Sequence, residues 1–206
     1  MLYPEQRVVV EPRYFGSVAY YATLAAFGKA TVDVASRYDK RRKSVRRCDI
    51  VDTHGETSLT VPIKKPESLT AATWADIEVS DHGNWWHVHR TAIESAYGRT
   101  PFFEFYKDDL FPYLTADAAG RKLVDLCRDT DKAVRKLLGI MTEVEYGVAD
   151  GDFVDCRREE LDYVGVEEYY QIWSERYGFK ANQSILDLLF NMGPEAVLVL
   201  RSMLKR

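Results

Sequence analysis

An α/β fold is predicted: an N-terminal strand–helix–strand unit on a small, mainly parallel or mixed sheet, then a helical middle and a C-terminal helix. Three observations predict it. The β-branched run Val8-Val9-Val10 and the alternating stretch 30–35 bracket a segment whose apolar residues recur at helical spacing. Beyond residue 84 the apolar period lengthens from two residues to between three and four. The closing stretch, 184–204, keeps that longer period to its end.

Each element has its local reason. After Val10, Pro12 and Phe15-Gly16-Ser17 read as the loop that ends the first strand. Ser17 is a helix cap for 17–26, whose buried positions would be Val18, Tyr21, Ala22 and Ala25, and Gly28 is expected to stop that helix. A strand, a helix and a second strand in succession form a βαβ unit, for which a right-handed crossover is expected. Residues 48–51 and 58–63 flank Asp52-Thr53-His54-Gly55-Glu56 and predict a hairpin with a three- to five-residue turn. Ile77-Glu78-Val79 reads as another short strand. Asn84 is placed to cap a helix carrying Trp85, Val88, His89, Ala92, Ile93, Ala96 and Tyr97 on one face, and Pro101 suits the start of the next. A third helix is predicted over 119–138, irregular structure with short β-type pieces over 143–166, and a short helix or turn within 166–177. Gly193-Pro194 divides the closing helix in two. With no internal repeat, one domain over 1–206 is the simplest account.

Composition narrows the function without choosing it. Of 206 residues, 46% are apolar and 29% charged, a globular mixture with bulk for a core and not a disordered one. No apolar run approaches the ~20 residues of a membrane span, and the first residues lack the layout of a secretory signal. Cys48, Cys127 and Cys156 are odd in number and widely spaced, so neither a disulfide framework nor a Cys-x-x-Cys zinc knuckle is expected. Together these features describe a cytoplasmic protein.

The strongest charge anomaly is Arg37-Tyr38-Asp39-Lys40-Arg41-Arg42-Lys43-Ser44-Val45-Arg46-Arg47, with seven cations and one acid in a chain of net charge −4. Such a stretch either holds an anion such as a phosphate or forms a solvated loop that neutralises acids elsewhere. No nucleic-acid module accompanies it, so nucleic acid is not the expected partner. His87 and His89 stand two apart and point to different helix faces, and His-Glu-x-x-His is absent, so no metal is expected. His89 shares the apolar stripe with Trp85 and Ile93, which leaves open a hydrogen-bonded histidine at the core edge or a general base. Neither a Gly-x-Ser-x-Gly elbow nor a Gly-x-x-x-x-Gly-Lys phosphate loop is present. The 11–17 loop joins a strand to a helix, where ligands lodge in open parallel sheets; Tyr14 and Phe15 would then line its mouth or pack in the core.

Five ordered motifs resemble the WbqC-like family of bacterial proteins. They are Tyr14-Phe15-Gly16-Ser17-Val18-Ala19-Tyr20-Tyr21, with Gly16-Ser17 where the family has proline; Arg46-Arg47-Cys48-Asp49-Ile50, with Arg46 where Asn is usual; Leu59-Thr60-Val61-Pro62-Ile63; Trp85, His89 and Tyr97 followed by Pro101-Phe102-Phe103-Glu104; and the block 184–194. The resemblance implies a link to O-antigen and other surface polysaccharides, with no settled reaction. It carries over Tyr14, Arg47, His89, Asp187 and Asn191 as pocket positions. On that basis Arg42, Arg46 and Arg47, with Tyr14, Ser17 and Asn191, would hold an anionic donor such as a nucleotide, sugar nucleotide or acyl donor beside the helix N-terminus. His89 would be the catalytic base, and Asp187 would orient it or the acceptor. No separate cofactor is expected. A transferase of acyl, aminoacyl or glycosyl type and a non-catalytic factor binding an anion or a protein partner both stay open.

Overall fold

The structure, a computed structural model, describes residues 2–158 and 164–204. The part of the irregular stretch over 143–166 that falls on 159–163 lies outside the described residues.

Strand β1 (Tyr3–Val10) leads through a short loop to helix α1 (Val18–Ala26), and β2 (Phe27–Asp33) begins at the next residue. The helix therefore ends before Gly28, which lies inside β2 and not after α1 as its stop. Close approach explains this glycine. A side chain at 28 would place Cβ 1.9 Å from the carbonyl oxygen of Pro4, where β1 slips register between Tyr3 and Arg7 against β2. Two further strands complete a four-stranded parallel sheet in the order β5-β2-β1-β6, with β5 at Glu143–Gly147 and β6 at Val154–Asp155. Both come from the stretch expected to be irregular; glutamates in β5 and the two-residue length of β6 hid them, since edge strands need only one apolar face.

Val8, Val9 and Val10 are all buried, so the carboxyl half of β1 is covered on both faces, as a parallel strand with β-branched residues should be. Eight of the nine residues of α1 are buried, the exception being Ala25, expected on the buried face but only half-buried, and Ser17 caps the helix by accepting from the Tyr20 N–H at 3.2 Å. The hairpin forms from β3 (Arg47–Asp52) and β4 (Gly55–Thr60); its turn is shorter than expected, because Gly55 at φ +104 lets pairing resume at Asp52. Glu78 and Val79 make only isolated bridges and no strand.

Helix α2 (Trp85–Tyr97) buries Trp85, His89, Ile93, Ala96 and Tyr97 of the predicted face, whereas Ala92 is half-buried and Val88, at the edge of that stripe, is 54% exposed. Asn84 makes no side-chain cap and sits in the left-handed region at φ 46, joining a preceding 3-10 turn. Helix α3 (Phe103–Leu110) starts two residues after Pro101, and α4 (Leu123–Leu138) starts later than 119 because Gly120 at φ +79 breaks the approach. A short α5 (Ser174–Tyr177) is the only helix within 166–177, and the closing segment divides at Gly193 into α6 (Ile185–Met192) and α7 (Ala196–Ser202). Among the described residues, no helix is long and apolar enough to cross a membrane.

Candidate functional site

The residues expected to converge around His89 separate into three groups and a divided basic stretch. The first surrounds the imidazole. His89 is 3% exposed, its ring centroid 5.1 Å from that of Trp85 and 5.6 Å from that of Tyr14. The Tyr14 hydroxyl lies 2.9 Å from Nδ1, and the Thr60 carbonyl takes the ring's other hydrogen bond. Burial pushes the imidazole down to about 4, the Thr60 carbonyl opposing only in part, and pushes the Tyr14 phenol well above its ordinary range. At neutral pH the phenol therefore donates to Nδ1, and the ring's proton sits on Nε2 toward Thr60. This is a neutral imidazole with both nitrogens engaged. Tyr14 and Phe15 are wholly buried and do not line the mouth of the loop.

The second group surrounds Asp187, which is 1% exposed. Its Oδ2 accepts from the Tyr169 hydroxyl at 2.8 Å and from Gln171 Nε2 at 2.7 Å, and the Tyr97 hydroxyl also bonds to the carboxylate. Asn191 donates to the Asp187 carbonyl at 2.8 Å while its Oδ1 accepts from the Ile172 N–H at 3.0 Å. One turn apart on α6, these two residues peg the 169–172 segment to the core. Burial holds the Asp187 carboxyl above its usual range even against those donors. No hydrogen bond or ion pair joins His89 to Asp187 or to Arg47, so the expected base–orienter pair does not form.

The third group is the N-terminus of α1, expected to receive an anion. Its donors are spent: the Val18 N–H bonds to the Gln183 carbonyl at 2.9 Å, Ala19 N–H to Asn182 Oδ1 at 3.0 Å, and Tyr20 N–H to Ser17. Ser184 also donates to the Phe15 carbonyl at 2.9 Å, closing the loop over. The 182–184 segment occupies the place where a ligand's oxygens would sit.

The basic stretch itself splits. Arg46 turns to the hairpin and donates to the Val61 carbonyl at 3.0 Å, and Arg47 lies 3.4 Å from Asp49. Arg42 goes the other way, to the carboxyl end of the parallel sheet, where its Nη2 meets Glu11 Oε2 at 2.5 Å and also donates to the Arg157 carbonyl. There a cavity of about 510 Å³ is lined by Arg37, Arg41, Arg42, Arg157 and Arg158, with Ser36 and the carboxylates Glu11, Asp39 and Asp155. Glu11 follows β1, Ser36 and Arg37 follow β2, and Arg157 follows β6, so three adjacent strand ends supply the floor. This is the position at which open parallel sheets bind ligands, beside the point where the chain switches from one side of β1 to the other.

Carboxylates hold several of these arginines in place. Arg157 spans Asp33 and Asp155, each at 2.7 Å, which holds its guanidinium more firmly protonated than usual. Arg41 clasps Asp39 at 2.9 Å, and hydrogen bonds from Arg41 lower that carboxyl to about 2. Among the described residues, Arg37 and Arg158 have no carboxylate within ion-pair distance. Of the basic stretch, Arg37, Arg41 and Arg42 line this cleft; of the residues assigned to the anionic donor by the resemblance, Arg42 alone does. Glu11, Arg157 and Arg158 were missed, although the pair Arg157-Arg158, two residues beyond Val154-Asp155, was a signal once a strand end is considered there. No group of His, Cys, Asp and Glu able to hold a metal occurs among the described residues.

Comparisons with known proteins agree with the motif resemblance. The sequence profile of the WbqC-like protein family matches residues 11–150. An uncharacterized protein of Mycobacterium tuberculosis, Rv1507c, is 26% identical over 225 residues, covering 91% of this chain and 94% of its own. No solved structure matches significantly.

Proposed function

The chain belongs to the WbqC-like protein family, and on that premise we propose that it binds a phosphate-bearing small molecule in the arginine cleft. The reaction class we assign is transfer of a group from that anionic donor, in the cytoplasm, toward bacterial surface polysaccharide. One observation carries the binding: five arginines from two distant stretches converge on one cavity in a chain whose net charge is −4. Guanidinium forks match phosphate oxygens two at a time, and here several are already oriented by carboxylates. A ligand then loses little freedom of the protein on binding. Arg37 and Arg158 supply charge that forms no ion pair with a described carboxylate.

A second reading, a binding or assembly factor without chemistry, is favoured by the place of His89. It does not line the cleft, and its burial leaves the imidazole a weak base. Calorimetric titration with inorganic pyrophosphate tests the binding. The wild-type chain binds, R37Q/R158Q loses about tenfold or more in affinity, and raised salt weakens the wild type further, as charge-assisted contacts demand. Equal affinity in the double variant would remove the cleft as the site. Release of free nucleotide from a sugar nucleotide, dependent on the protein and an acceptor, separates the transferase from the binding factor.

A further inference from the structure

A second cavity of about 470 Å³ adjoins the first, and Arg37, Asp39, Arg41 and Arg158 line both. The four form a shared wall between two lobes of one cleft. The lobes differ in chemistry. The inner lobe, at the strand ends, is lined by charge almost throughout. The outer lobe adds Tyr38 and Leu69, together with Lys40. Leu69 is 46% exposed, and Tyr38 is held edge-on against Trp74 with ring centroids 5.1 Å apart at 83°. An aromatic ring fixed by a buried tryptophan, beside an exposed leucine and arginine planes, is a platform for a flat apolar group. Each lobe falls within the ~300–1,000 Å³ of small-molecule sites.

We infer that the ligand is a nucleoside diphosphate, free or as part of a larger donor, with its phosphates in the inner lobe and its base against Tyr38 and Leu69. This rests on the proposed reading of the cleft as a phosphate site and adds the class of molecule. Inorganic phosphate or a polar sugar phosphate leaves the aromatic and aliphatic pair in water. A molecule with a doubly charged end and a flat end uses both lobes and the arginines between them. Base stacking on an aromatic ring tolerates any base, so the geometry asks for a nucleotide without choosing which.

The test compares uridine diphosphate, adenosine diphosphate and inorganic pyrophosphate by calorimetry on the full chain. At least one nucleotide is expected to bind about tenfold or more tightly than pyrophosphate, the usual scale of a stacked base. Y38L keeps an apolar side chain against Trp74 while removing the ring, and L69S changes an exposed residue outside the buried core. Each should weaken nucleotide binding toward the pyrophosphate value and leave pyrophosphate binding unchanged. Pyrophosphate binding as tightly as both nucleotides would overturn the inference while the phosphate site stands. So would Y38L and L69S that bind nucleotide like the wild type. No binding of any of the three would remove the phosphate site and the inference together.

Discussion

His89 makes stability depend on pH over a window that its surroundings define. In an unfolded chain the imidazole takes a proton near its ordinary value of 6.5; in the fold, burial against Trp85 and Tyr14 delays this to about 4. Between those values acidification protonates the unfolded chain and not the folded one, so stability is lost as pH falls through the window and is fully present above it. At about 1.36 kcal/mol for each tenfold change in proton affinity, the whole loss is roughly 3 kcal/mol, most of it between about pH 6.5 and 4.5. Asp131 and Asp187 act with the opposite sign. Burial raises their carboxyls, so the fold takes up those protons first and gains from acid. Comparison with H89Q isolates the histidine, since both aspartates remain. The variant loses ring packing and is less stable at neutral pH. Its stability should nevertheless fall by roughly 2–3 kcal/mol less than that of the wild type between about pH 7.5 and pH 4.5, measured by urea denaturation. Parallel pH profiles for the two proteins would refute the assignment of a neutral, doubly bonded imidazole.

Three further outcomes follow from the packing. G28A must part β1 from β2 at Pro4, where its Cβ would otherwise stand 1.9 Å from a carbonyl oxygen, and should lose roughly 1–3 kcal/mol in denaturant, whereas a mere loop glycine would not. D187N sets an amide –NH2 among the Tyr169, Gln171 and Asn191 donors and should cost roughly 1–3 kcal/mol, with amide exchange quickening at Ile172 if the 169–172 segment loosens. All three cysteines are buried, burial pushing the Cys156 thiol up to about 12 and those of Cys48 and Cys127 higher; native protein at neutral pH should resist a thiol reagent that labels all three in denaturant, and fast labelling of any one would contradict its burial.

Much of the scaffold was legible because its signals are local. A β-branched run, a serine before a helical repeat and a stripe on α2 each act within a few residues, and β1, the Ser17 cap and the buried face from Trp85 to Tyr97 are where those signals put them. The edge strands β5 and β6 escaped because pairing to a buried neighbour, not their own composition, makes them strands. The Gly28 stop failed for a related reason: a glycine that ends a helix and one that admits a carbonyl from the next strand look identical in one dimension.

The site divides along the same line. By itself the sequence determined the family, the α/β class, and an excess of cations able to hold an anion, because residue type and short-range spacing suffice for these. Only the tertiary structure decided which cations face one another. It sent Arg42 to the strand ends and Arg46 and Arg47 to the hairpin, filled the α1 N-terminus with residues 182–184, and walled His89 in beneath Tyr14. Charge and desolvation act through distance and burial, and the fold sets both by bringing Glu11, Arg42 and Arg157 together from far-separated parts of the chain.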